Sequence, residues 1–113
     1  MRIEFSLEPR DKNDPKDIDP VGNITLIGDE KVLNEQYVYV DSWLNALHEG
    51  SQKLRENSHV EVDLIEEPNP LIFERRSDGY VNISFKGRFI AVNNAQTIEN
   101  AVDLARKKLS ELT

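Results

Sequence analysis

The side chains that could do chemistry here are mostly carboxylates with a few aromatics, and their spacing limits what that chemistry can be. Glu61 and Asp63 are two apart, so on a strand they share one face, and Glu66 and Glu67 follow just before Pro68. Paired carboxylates can run glycoside hydrolysis. That reaction needs a groove in which one acid is shielded and its pKa raised. A short chain with only 7% aromatic residues offers little surface for stacking a sugar. The plain reading of Glu61 and Asp63 is the solvent face of a half-buried strand, with a protein-binding patch as the other reading. Nucleophilic catalysis fares no better. His48 and His59 are the only histidines, and Ser42 lies six residues before His48 rather than the three or four of helix-face neighbours. No Gly-x-Ser-x-Gly elbow occurs, and both histidines read as solvated. Asp17, Asp19 and Gly22 occupy positions 1, 3 and 6 of a calcium loop, but Val21 and Gly28 stand at positions 5 and 12, where oxygen ligands are needed. The five glycines have no phosphate-loop spacing. We therefore expect no catalytic residue, no metal site and no cofactor.

Tyr37, Tyr39 and Trp43 cluster where a strand should run into a helix. The tyrosines could pack under a second layer or anchor an interface, since Tyr and Trp are enriched at binding hot spots.

The elements that position these residues follow from periodicity. Ile3, Phe5 and Leu7 alternate with polar residues, which predicts a half-buried strand. Residues 8–20 carry three prolines and dense mixed charge, which predicts a long exposed loop. Short strands are expected at Ile24 to Ile27 and Tyr37 to Val40, with Val38 and Val40 on one face and the tyrosines on the other. Asp41 or Ser42 could cap a helix running from Ser42 to about Glu56. Trp43, Leu47, Gly50 and Leu54 fall on its apolar stripe. Gly50 there implies either close packing on the sheet or a kink.

Val60, Val62 and Leu64 alternate with Glu61 and Asp63 in a further strand, which Pro68-Asn69-Pro70 should end. Leu71 to Val92 then reads as an antiparallel meander with turns at Ser77-Asp78-Gly79 and Lys86-Gly87. Asp-Gly is the signature of a type I′ turn, whose positive φ glycine tolerates. Val81, Ile83 and Phe85 should face one side, Tyr80, Asn82 and Ser84 the other, and the last strand should be buried on both faces. Asn93-Asn94 and Thr97 compete to cap a final helix whose stripe is Ile98, Ala101, Val102, Ala105, Leu109 and Leu112. The order β-β-β-α-β-β-β-β-α, with hairpin connections, predicts a single α+β domain over 1–113. It should have two helices and a mostly antiparallel sheet of about six or seven strands.

Bulk composition narrows the partners. The formal charge of −7, from 21 acidic and 14 basic residues, disfavours nucleic acid and anionic membrane surfaces, which are bound through Lys and Arg. It suits a cationic protein. No run approaches the roughly 20 apolar residues of a spanning helix, and the N-terminus reads as a strand rather than a signal peptide. With no cysteine to form a disulfide, the expected setting is a reducing cytoplasm.

One resemblance bears on function. Asp41-Ser42-Trp43-Leu44, Leu64-Ile65-Glu66-Glu67-Pro68 and the hairpin strands behind them resemble small bacterial immunity-type proteins, the antidotes encoded beside contact-dependent and polymorphic toxins. The likeness covers about the last two-thirds of the chain by pattern. It implies a non-catalytic α+β domain that neutralises one toxin by binding it. On that reading Glu61, Asp63, Glu66 and Glu67 supply charge toward a cationic toxin, and Tyr37, Tyr39 and Trp43 supply the apolar anchor. The alternative is a structural or regulatory module that self-associates as a homodimer through a sheet edge.

Overall fold

The structure, a computed structural model, describes residues 1–9 and 20–112. Asp17 and Asp19, and nearly all of the expected loop at 8–20, lie outside the described residues.

Among the described residues the fold is α+β with two helices and seven antiparallel strands, in the expected order. The strands divide into two sheets rather than one. β1 (Arg2–Leu7), β2 (Val21–Ile27) and β3 (Val32–Tyr39) form a three-stranded meander. After helix α1 (Val40–Lys53) come β4 (His59–Leu64), β5 (Glu67–Arg75), β6 (Val81–Phe85) and β7 (Arg88–Val92), a four-stranded meander. Helix α2 (Ala95–Leu112) closes the chain. The sheets meet at one isolated bridge, where the Ala91 amide donates to Glu30 O at 3.1 Å and the Asp29 amide to Ala91 O at 2.8 Å.

Alternation sets the core. Val60, Val62 and Leu64 on β4 point the same way as Leu71, Phe73, Val81, Ile83 and Phe85, and α1 covers them with Trp43, Leu44, Leu47 and Leu54. The three-stranded sheet adds Phe5, Ile24, Leu26 and Leu33 to the same cluster. On β7, Ile90, Ala91 and Val92 are all buried, so that strand is covered on both faces as expected. On α2 the stripe holds through Ile98, Ala101, Val102 and Ala105, with Leu109 partly buried against the core, but Leu112 is exposed. Glu99 joins the helices, accepting from Gln52 Nε2 at 2.6 Å and Arg55 at 2.9 Å.

Several local expectations are corrected. Helix α1 starts at Val40 with Tyr39 at its N-cap and no side-chain cap bond, so neither Asp41 nor Ser42 caps it. Asp41 instead accepts from the adjacent Ser42 amide at 2.9 Å. The helix ends at Lys53, and 54–56 continue only as turns. Of the competing residues before α2, Asn94 caps: its Oδ1 accepts the Thr97 amide at 3.0 Å. The prolines do not end a strand but lie inside β5. They fit because β6 pairs with β5 only from Ile72 onward, and the β4 register shifts between Val62 and Leu64. Pro68 and Pro70 therefore lie in a bulge, where three residues of β5 oppose Asp63 and no ladder donor is needed. The type I′ geometry belongs to Lys86-Gly87, with φ of 51° and 80°. At Asp78-Gly79 only the glycine has positive φ, and Asp78 Oδ1 accepts the Tyr80 amide at 3.1 Å.

Candidate functional site

Two chain reversals meet at the N-terminus of α1. The first is in β3. Gly22 of β2 pairs with Val38, but Ile24 pairs with Glu35, so Gln36 and Tyr37 together oppose Asn23. This is a β-bulge, which kinks a strand and re-aims its side chains. Tyr37 takes the left-handed backbone, φ 56°, and its ring is thrown outward, 75% exposed. The strand then resumes through half-buried Val38 and Tyr39 into α1.

The second reversal joins β4 to β5. Leu64 pairs with Glu67, leaving Ile65-Glu66 as a two-residue turn. Glu66 also has a left-handed backbone, φ 58°, a conformation in which Gly or Asn is usual. Ile65 is exposed because it follows Val60, Val62 and Leu64 out of phase. The turn is held in two places. Ser42, buried in the first turn of α1, accepts the Ile65 amide on its Oγ at 3.0 Å. The Tyr39 hydroxyl donates to Glu66 Oε2 at 3.0 Å.

Between these reversals lies a hollow of about 230 Å³. Tyr37 and Ile65 stand at its lining with Tyr39, Glu66 and Glu67, and Val21, Val38, Ser42 and Trp43 complete it. Glu67 is partly engaged: its Oε1 accepts from the Asn69 amide and side chain, each at 3.3 Å, and Lys86 Nζ is 3.8 Å from Oε2.

Five of the seven residues singled out from sequence thus meet in one place: Tyr37, Tyr39, Trp43, Glu66 and Glu67. Trp43 enters as floor rather than as a projecting anchor. It is 2% exposed and packs edge-on against Phe85, with centroids 4.9 Å apart. Glu61 and Asp63 are not in the hollow. They sit on the exposed face of β4, where Glu61 Oε2 is 3.1 Å from His59 Nε2, and Glu74 is 3.7 Å from the other ring nitrogen. His48 is half-buried rather than solvated.

Among the described residues no group of three or more His, Cys, Asp or Glu could hold a metal ion, and no helix is long and apolar enough to cross a membrane. The lining of the hollow carries hydroxyls and carboxylates and, among the described residues, no histidine. Sequence reasoning missed the roles of Ser42, expected as a helix cap, and of Ile65. The alternation of β4 does place Ile65 outward, but nothing local reveals that Ser42 reaches across to its amide.

That contact is testable. Ser42→Ala should leave the Ile65 amide without an acceptor in a part-buried site, costing about 1–3 kcal/mol. Urea unfolding should show a lower midpoint with an unchanged slope. An unchanged midpoint would mean that water replaces the hydroxyl at no cost.

No protein-family model, curated protein or solved structure matches this chain.

Proposed function

We propose that this chain acts by binding another protein, and that its sharpest role is neutralising a cationic toxin. The observation that carries the reading is the pairing of exposed apolar groups with carboxylates at one preformed place. Tyr37 and Ile65 are two of the large hydrophobic residues left exposed, and both line the hollow that also holds Glu66 and Glu67. Tyrosine is among the residues enriched at binding hot spots. Left-handed backbone at both Tyr37 and Glu66 adds support, because strain of this kind persists where the surroundings over-determine it and clusters at functional sites. The net charge of −7 would steer a basic partner toward the surface before docking.

The test is a growth assay in the source background. The open reading frame immediately upstream is expressed with and without this chain. Toxicity relieved by this chain supports the reading, and a harmless neighbour removes the toxin from it. With a partner in hand, reversing the charge of Glu61, Asp63, Glu66 and Glu67 together should slow association and flatten its salt dependence, since charges act chiefly on the encounter rate. Reversing Glu66 and Glu67 alone should also speed dissociation, because these two border the apolar contact. Stopped-flow mixing at two salt concentrations measures both, and unchanged rates would exclude the carboxylates.

The second reading is a self-associating module. The edge strands are β1 and β3 in one sheet and β4 and β7 in the other; the Glu30–Ala91 bridge and the bonds of Arg88 to Asn34 and Glu35 draw β3 and β7 together, which among the described residues leaves β1 and β4. On β4, Glu61 and Asp63 load the edge with like charge, which is how sheet edges are commonly kept apart. Concentration-dependent mass in sedimentation would favour self-association over a monomeric binder.

A further inference from the structure

We infer that the hollow between the β3 bulge and the β4–β5 turn receives an arginine side chain of the partner. This rests on the protein-binding reading and names what that site takes.

Size comes first. A volume of about 230 Å³ is below the roughly 300–1,000 Å³ typical of small-molecule pockets. That is room for one long side chain.

Chemistry comes second. The lining offers aromatic surface from exposed Tyr37 and carboxylates from Glu66 and Glu67, with Lys86 Nζ outside the lining at 3.8 Å from Glu67 Oε2. A group that is flat, cationic and rich in donors satisfies both halves. Guanidinium lays its face on an aromatic ring and keeps its in-plane N–H groups for carboxylates. An ammonium is more strongly hydrated and has no flat face, so it uses the carboxylates but gains less from Tyr37.

Preorganisation comes third. Tyr39 already fixes Glu66, and Ser42 fixes the turn that carries it. The turn and its carboxylate are therefore held before binding, which lowers the ordering cost there.

The probe is N-acetyl-arginine amide, titrated into the ¹⁵N-labelled chain while backbone amide shifts are followed. Saturable shifts are expected at Tyr37, Ile65, Glu66 and Glu67. The citrulline analogue, which keeps the shape but not the charge, should bind about tenfold or more weaker, as befits the loss of charge-assisted hydrogen bonds. The Glu66→Gln, Glu67→Gln pair should show a similar loss for the arginine probe. Glutamine retains an acceptor for Tyr39, so this variant tests charge rather than folding, and its undisturbed spectrum outside the hollow verifies that. Tyr37→Ala should weaken the same probe, since its ring lies on the surface and is not part of the core. Equal binding of the citrulline probe, equal binding of a lysine amide, or shifts that avoid the hollow would each overturn the inference. The two levels separate cleanly. Toxin relief by a chain whose hollow ignores arginine leaves the protein-binding reading standing and removes only this inference. Arginine binding by a chain that relieves no toxicity leaves this inference standing and removes only the toxin as the partner.

Discussion

Trp43→Ala should destabilise the chain by about 3–5 kcal/mol, the range for deleting a large buried aromatic. Trp43 is 2% exposed, near the start of α1, and its indole meets the Phe85 ring at 72° between planes. Removing it would empty the space between helix and sheet and take away the floor of the hollow. A domain of this size is stable by only about 5–15 kcal/mol, so the loss is a large share of the whole. Urea unfolding followed by far-ultraviolet circular dichroism is the measurement, because Trp43 is the only tryptophan and fluorescence would vanish with it. Trp43→Phe should cost less, since a phenyl ring retains an edge-to-face partner. The comparison matters for function. A Trp43→Ala chain that fails to bind has told the experimenter about folding. Tyr37, 75% exposed, can be removed without opening the core, and it is the residue through which binding should be probed. An unchanged unfolding midpoint for Trp43→Ala would contradict its place in the core.

Much of the fold was legible because burial has a period. Val60, Val62 and Leu64 show the two-residue repeat of a strand with one face inward, and Ile98, Ala101, Val102 and Ala105 show the helical repeat. Such patterns say which face of an element is buried, not which element covers it. That is why the element order could be anticipated and the division into two sheets could not. The bridge between Glu30 and Ala91 depends on where two remote segments end up, and neither carries a local signal for it. Prolines misled for a related reason: a proline forbids an amide donor, and Pro68 and Pro70 sit where none is required.

The hollow divides along the same line. Residue type alone drew attention to Tyr37, Tyr39, Trp43, Glu66 and Glu67. Their convergence depends on the β3 bulge, which throws Tyr37 outward, and on a left-handed Glu66 that brings its carboxylate to Tyr39. Neither Gln36-Tyr37 nor Ile65-Glu66 contains the glycine or asparagine that usually announces such backbone. Trp43 was drawn to the same cluster by its type, yet type could not separate a surface anchor from a core residue. Its position on the Leu47, Gly50, Leu54 stripe was the better guide.

The helix that carries Ser42 and Trp43 has its height above the sheet set by Gly50, and Gly50→Ala should expose this dependence. Helix propensity alone would favour alanine by about 1 kcal/mol. Packing points the other way. A Cβ built on Gly50 would lie 2.6 Å from Phe73 Cδ1 and closer still to Cε1 and Cζ. Phe73 is fully buried in β5, paired with Val60 on one side and Ile83 on the other, so its ring has nowhere to swing. The helix must rise or the core must distort, and overpacking of this kind costs about 1–3 kcal/mol, occasionally more. Net destabilisation is therefore expected despite the better helix former. Phe73→Leu should relieve the clash, so the double variant should lose less than the sum of the two singles, with a coupling of about 0.5–3 kcal/mol. A gain in stability for Gly50→Ala would show that α1 does not rest on Phe73 as closely as this. If the helix does rise, Ser42 rises with it, and the Ile65 amide signal should move in Gly50→Ala although the substitution is two turns away. That shift would tie the core to the hollow: the seat of α1 on Phe73 would then be what holds the β4–β5 turn, with Glu66, in place.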